Sequence, residues 1–279
     1  METQKTDNAV LQREQQFWDD AAREVGATLN PEDYRVAVTD RYDRAMSWLP
    51  YLDYPALMNC LLTAIGDVRG KTVLDLGTGT GFLAVLLALQ GAKVVAVDLS
   101  EEQLAIARFR ARINNVENEI LFRHGTTEEL PVADNSIDAI TGSFVLHHTD
   151  LESTGREIRR VLTPGGKAAF IETSGRNPIL IFCRNSLAGR FGIPKYGSDD
   201  EHPLDVDAQH LLERLFPAAV RLHYPMMLFF RLLTAHIALF RIPPLDTMTK
   251  LLDRSVHRVP WLRPYSYYLV VELIKPLGA

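Results

Sequence analysis

The chain has 279 residues, 47% of them hydrophobic, enough for one large or two small domains around a substantial core, which excludes disorder as the main state. A formal net charge of −5 supplies no basic footprint for DNA or RNA, so nucleic acid is not an expected partner. Cys60 and Cys183 are too few for a disulfide framework or a cysteine zinc site and suit a reducing cytoplasm; the polar start METQKTDNAV is unlike a secretion signal.

In chain order, residues 1–70 read as helical, especially LQREQQFWDDAAREV and TDRYDRAMSWL. Lying ahead of the first strand, they are expected to form a lid or, through their helices, a contact between copies of the chain. From Lys71 short β-branched runs alternate with stretches of helical period, the pattern of a parallel sheet wrapped by helices. TVLDLG reads as the first strand, GFLAVLLALQG as a helix ended by Gly91, and AKVVAVDL as a second strand apolar enough to be buried on both faces. Ser100 with Gln103 forms a capping box opening a helix to about Asn114. EILFRH and SIDAITGSFV are the third and fourth strands. Asp150 opens a further helix that ends at Thr163-Pro164-Gly165-Gly166, and KAAFIET is the fifth strand. The pattern predicts residues 71–175 as a doubly wound α/β core that binds its ligand at the carboxyl ends of the strands, near the topological switch point. In residues 176–279 the charge balance turns basic, and VRLHYPM and SYYLVVELI look like two last strands around an apolar, helix-prone insert.

The first strand runs into Gly77, Gly79 and Gly81, where a ligand can approach the backbone at a helix N-terminus. The spacing is G-x-G-x-G, with Phe82 where a dinucleotide fingerprint needs its third glycine, and no G-K-[ST] follows. NAD and Walker-type readings therefore fail. Asp75 precedes the loop by two residues, and Asp98 closes the second strand, where a carboxylate can accept from both hydroxyls of a ribose. An acid ahead of the loop suits a cofactor with a cationic amino-acid end, S-adenosylmethionine; the plainer role of Asp75 is to hydrogen-bond the turn.

VLDLGTGTGFLAV (73–85), VVAVDLSEEQLAIAR (94–108), HGTTEELPVADNSIDAITGSFVLHH (124–148) and REIRRVLTPGGKAAFIE (156–172) together resemble the class I S-adenosylmethionine-dependent methyltransferases of the ubiquinone/menaquinone and small-molecule type. The resemblance covers about Lys71 to Thr173. It implies a Rossmann-like, mostly parallel seven-stranded sheet with a reversed last hairpin. It also implies that Gly77, Thr78 and Gly79 contact the methionine part of the cofactor, Asp98 and Leu99 the ribose and adenine, Thr126 and Thr127 the adenine edge, and Ser143 the methionyl end. Relatives commonly carry an aspartate where this chain has Thr126, which leaves adenine recognition to backbone atoms or Glu128.

Methyl transfer from a sulfonium is an in-line displacement with a neutral leaving group, so it asks for alignment and exclusion of water and for no metal. His147 and His148, just after the fourth strand, are candidates for a base or for packing against the cofactor. Tyr42 either folds over the cofactor or belongs to the core. Tyr196 and His202 sit in a long connection, GIPKYGSDDEHPL, whose length suggests function; its acidic triplet Asp199, Asp200, Glu201 reads as a solvated turn, and its spacing shows no metal site.

No run reaches the roughly 18 uncharged apolar residues of a membrane span. The nearest, Pro225 to Phe240, contains Arg231 and His236. As a helix it would gather Arg231, Thr234, Ala235, Ala238 and Arg241 on one side, and such a helix can pack as core, line a greasy pocket, or let residues 225–264 lie on a membrane surface with arginines snorkelling. Walling the acceptor site in this way predicts residues 176–279 as an acceptor cap. The expected acceptor is apolar: an isoprenoid, a quinone-like ring or a natural-product intermediate, with room for an anionic head group. Two rivals keep the fold: a protein that catalyses a cyclisation or pericyclic step, and a binding or regulatory module.

Overall fold

The apolar runs after Lys71 form β1 (Thr72–Leu76), β2 (Lys93–Asp98), β3 (Ile120–His124), β4 (Ile137–Ser143) and β5 (Leu162–Thr173), and the last two runs form β6 (Val220–His223) and β7 (Tyr268–Ile274). A computed structural model describes residues 8–28, 30–43, 54–187, 190, 201–236 and 242–278. The strand order is β3-β2-β1-β4-β5-β7-β6, parallel from β3 through β5, with β7 antiparallel to both of its neighbours. The order reverses between β1 and β2 on one side and β4 on the other, so the carboxyl end of β1 opens at the switch point. This is the doubly wound sheet that the strand pattern predicts, and the antiparallel β7 is the reversal that the resemblance implies for the last hairpin.

Alternation along the strands sorts the core into two layers. Val73, Ala96, Ala139, Ala169, Ile171 and Val270 face one layer, while Leu74, Val97, Ile140, Phe170 and Val271 face the other. The first layer is covered by α2 (Tyr54–Ile65), α3 (Phe82–Leu89) and α8 (Phe230–His236); the second by α5 (Leu151–Val161) and α7 (Val206–Leu215). Apolar on every side, α3 is buried throughout except at Leu89, as a helix without a polar face must be. α4 (Glu101–Ile113) flanks β2 and β3, α6 (Pro178–Ser186) follows β5, and α9 (Pro243–His257) packs on α8. Asp253 of α9 is 4% exposed and accepts hydrogen bonds from the N–H groups of Phe229, Phe230 and Arg231 at 3.0–3.1 Å, capping α8 from another helix.

Ahead of the sheet, α1 (Asn8–Thr28) lies along α4, with Arg23 3.1 Å from Glu102 and the Ser100 hydroxyl donating to Asp19 at 2.5 Å. Three expectations need correction. TDRYDRAMSWL is not helical over Thr39–Asp43: there Arg41 donates to the Val38 and Asp40 carbonyls and Asp43 is drawn into a tertiary ion pair, so packing overrides local propensity. Residues 44–53 lie outside the described residues. The Thr163–Gly166 punctuation is an irregularity inside β5, where pairing with β4 shifts between Ile137 and Ala139 and Gly165 has φ +80°; the helix before it stops at Val161. Among the described residues the apolar insert holds α8, α9 and a 3-10 turn at Pro260–Tyr265, and Arg231 is not on a free face: its Nε donates to Asp246 at 2.8 Å. Ala238 and Arg241 lie outside the described residues.

Candidate functional site

The glycine loop is held from beneath by Asp75. This carboxylate is 1% exposed and accepts from the Thr78 hydroxyl at 2.7 Å, the Thr141 hydroxyl at 3.2 Å and the N–H of Ala84. Burial pushes its carboxyl up to about 7 despite those bonds, and nearby Asp98 adds to the rise. Thr78 turns inward, its hydroxyl on Asp75 and its N–H on the Val97 carbonyl at 3.0 Å. The three glycines differ in their surroundings. A Cβ on Gly77 (φ +64°) would meet Val145 Cγ2 at 2.7 Å, and one on Gly81 (φ +79°) would meet Ala107 at 2.7 Å. One on Gly79 (φ +53°) would meet nothing within 4 Å. The outer glycines thus let the loop pack against the β4 exit and α4, and the middle one borders open space.

Asp98 braces the loop from the side. Its two oxygens accept from the N–H groups of Gly79 at 2.7 Å and Ser100 at 2.9 Å, and desolvation raises its carboxyl pKa. Only half of the predicted capping box forms. Ser100 accepts from the Gln103 N–H at 3.1 Å, but Asp98 takes the Ser100 N–H, and the Gln103 side chain reaches the Trp18 carbonyl at 3.4 Å. Gln103 Oε1 is buried with no hydrogen-bond partner among the described residues. The Leu99 carbonyl lies 2.9 Å from His124 Nε2. Beyond Gly125, whose N–H donates to the Asp98 carbonyl at 3.1 Å, Thr126 is partly buried and the Thr127 hydroxyl pairs with that of Thr154 at 2.9 Å. Glu128 accepts from the Asp150 N–H at 3.2 Å.

At the other side of the loop, β4 ends in a turn of the main chain. Ser143 is 3.4 Å from the buried Tyr54 hydroxyl, and Phe144 has φ +58°, an unusual angle for an aromatic residue, held by its N–H on the Ile171 carbonyl at 2.7 Å. The chain then enters a 3-10 turn at Leu146–His148. His147 is 4% exposed, with Nδ1 2.6 Å from Glu172 Oε2. Glu172, fully buried at the end of β5, also accepts from the N–H groups of Val145 and Leu146. His148 stacks edge to face on Trp18 of α1, with ring centroids 5.4 Å apart, and lies between two carboxylates. Nδ1 is 3.1 Å from Glu14 without hydrogen-bond direction, and Nε2 is 3.6 Å from Glu201.

Glu201 overturns the solvated-turn reading, since its side chain is 5% exposed and pairs with Arg184 of α6. The reading came from three consecutive acids in sequence, which say nothing about what folds over them. Linear spacing likewise missed that His147, His148 and Glu201 bring one potential ligand atom each within 4.8 Å of one another. His202 enters by its backbone, whose N–H donates to the His147 carbonyl at 2.7 Å, while the residue itself is exposed. Tyr196, Asp199 and Asp200 lie outside the described residues. Tyr42 packs against the core edge to face with Tyr54, centroids 6.1 Å apart.

Several residues of the site gave no sequence signal. Arg110 of α4 is fully buried and grips Asp43 through two bonds of 2.9 and 3.0 Å, with the Thr80 hydroxyl bonded to both. Its guanidinium lies over the Tyr34 ring at 5.1 Å. Glu172, Glu14 and Trp18 are likewise visible only once the chain is folded.

Residues 74–170 match a family described as a methyltransferase domain. A demethylmenaquinone methyltransferase of Chlorobaculum parvum is 40% identical over 142 residues, 47% of this chain and 56% of that protein, so the chain spans about half the length of such curated relatives. Among solved structures, geranyl diphosphate C-methyltransferase of Streptomyces coelicolor superposes with a TM-score of 0.59 at 13% identity, covering 95% of this chain and 98% of that one. The 4+2 cyclase SpnF superposes with a TM-score of 0.56 at 18% identity, covering 95% of each. At those identities the two structures speak for the fold alone. Residues 74–170, with the glycine loop, Asp75, Asp98 and the β4 exit, are the part of the chain that is similar to the methyltransferase-domain family.

Proposed function

We propose that the protein transfers a methyl group from S-adenosyl-L-methionine to a small, predominantly apolar acceptor of isoprenoid or quinone-like kind. The observation that carries this reading is the glycine loop of the matched domain, open at Gly79 and flanked by Asp75 and Asp98 at the switch point. The site fits that cofactor: Asp98 at the end of β2 suits a ribose, Gly79 leaves the loop open to a ligand, and Gln103 Oε1 is a buried acceptor still lacking a donor. Bound there, the cofactor supplies an electrophilic methyl on sulfur. Asp98, which braces Gly79, would accept from ribose hydroxyls, Leu99 and Thr126 would border the adenine, and Ser143 would meet the methionyl end. Asp75 acts through the loop by fixing Thr78. α1 and residues 30–43 serve as the lid that keeps water from the reacting atoms.

Support for an apolar acceptor comes from the C-terminal part. Leu228, just before α8, and Leu232, within it, are buried with Tyr54, Leu180 and Tyr268, so this wall of the carboxyl edge is greasy. Farther out, Met248 and Leu251 on α9 and Trp261 after it are exposed, Trp261 at 71%, beside the exposed Arg254 and Arg258. Among the described residues no helix is long and apolar enough to cross a membrane. The exposed side chains suit contact with an anionic bilayer surface from which a lipophilic acceptor is drawn.

Mass analysis of products from a panel of apolar and polar acceptors tests the reading. A gain of one methyl on apolar acceptors is expected. Preference for sugars or free amino acids would sink it, and a product of unchanged mass would favour cyclisation on the same fold.

A further inference from the structure

We infer that His147, His148 and Glu201 form a binding site for one divalent transition-metal ion. Their ligand atoms already lie within 4.8 Å of one another, and His148 Nε2 is 3.6 Å from Glu201 Oε1. Ligands sharing one ion at bond lengths of about 2.0–2.2 Å sit roughly 3–3.5 Å apart, so side-chain movements on the order of 1 Å complete the set. Each imidazole has a carboxylate at Nδ1: Glu172 at 2.6 Å from His147, Glu14 at 3.1 Å from His148. That leaves Nε2 of each ring as the nitrogen to bind metal. A carboxylate hydrogen-bonded behind the ring, as Glu172 is behind His147, fixes a metal-binding histidine and raises its basicity; Glu14 stands at the same place behind His148 without bonding it. His148 Nδ1 is buried without hydrogen-bond geometry, as expected of a ring whose position is not yet fixed by a partner on its other nitrogen. Two imidazoles with one carboxylate favour zinc, iron or manganese over magnesium and leave further coordination positions open.

The three ligands come from the turn after β4 and from the segment after α6, tied together by the His202 N–H on the His147 carbonyl. Val145, against which Gly77 packs, is two residues from His147, so the ion would lie on the flank of the glycine loop opposite Asp98. Its open positions would take an oxygen of the acceptor. That last step rests on the methyl-transfer reading; metal binding itself does not.

The test uses chelator-stripped full-length protein titrated with Co2+, followed by its visible absorption, and with Zn2+ by calorimetry. One ion per chain is expected, with His148→Phe, which keeps a ring against Trp18, and Glu201→Gln each weakening binding at least tenfold. X-ray absorption of the wild-type cobalt form should show imidazole ligands, a readout that does not depend on either variant folding. No saturable binding, or binding that survives both substitutions, overturns the proposal. Calorimetry with adenosylhomocysteine on the same samples separates the two readings: retained cofactor binding without metal binding removes the ion alone, and the reverse removes the methyl-transfer reading alone.

Discussion

Asp75 shows what one buried carboxylate costs and what it holds. Its folded pKa of about 7 stands above the ordinary value of 3.8, so the folded chain binds a proton there more tightly than the unfolded one. Stability from this group is whole below the ordinary value and is lost as pH rises through 7. Asp75→Asn should therefore raise the melting temperature of the ligand-free protein most at pH 8 and less at pH 5, where only part of the loss has set in; a difference independent of pH would refute the assignment. Asp98→Ala should weaken adenosylhomocysteine binding by about 1.5–3 kcal/mol, the scale of hydrogen bonds to a charged group, measured by calorimetry. Unchanged affinity would mean the ribose lies elsewhere. Both aspartates could be singled out in the sequence, Asp75 by its offset from the glycines and Asp98 because it closes the second strand, and both are found bonded to the loop. Glu172 and Glu201 could not be singled out, because their partners stand 25 and 53 residues away along the chain, at His147 and His148.

Among the elements, the strands and the central helices follow directly from hydrophobic period, since each buries its own apolar face. The segments that depart from expectation are those fastened by long-range polar contacts. Residues 39–43 have helical composition, yet Asp43 is held by Arg110 and Thr80, and no local pattern encodes that pairing. Removing one partner leaves the other charge buried. Arg110→Met should lower unfolding free energy by about 3–5 kcal/mol in urea titrations, and Asp43→Leu combined with it should recover part of the loss. A loss within about 0.5 kcal/mol, the range of surface substitutions, would place the pair in solvent. Gly81→Ala forces a side chain into Ala107 at an angle that favours glycine, so it should both destabilise the fold and weaken cofactor binding, as calorimetry and melting would show.

For the whole molecule, sequence likeness and surface character divide along the chain. Its matched core, residues 74–170, carries the loop and its aspartates, while the exposed apolar residues of α9 and Trp261 belong to the last part of the chain. Co-sedimentation with vesicles of anionic lipid should be weakened several-fold by Trp261→Ser and by added salt, while neutral vesicles bind poorly throughout. Equal binding to both lipids would remove the role of Arg254 and Arg258. The Asp43–Arg110–Thr80 contact reaches further than stability. It fastens a stretch that precedes the sheet to the loop that follows β1, so a ligand that steadies the loop should also hold down residues 30–43. Arg35 is exposed on that stretch, and the rate at which trypsin cuts after it becomes a clock for occupancy of a loop forty residues farther along the chain.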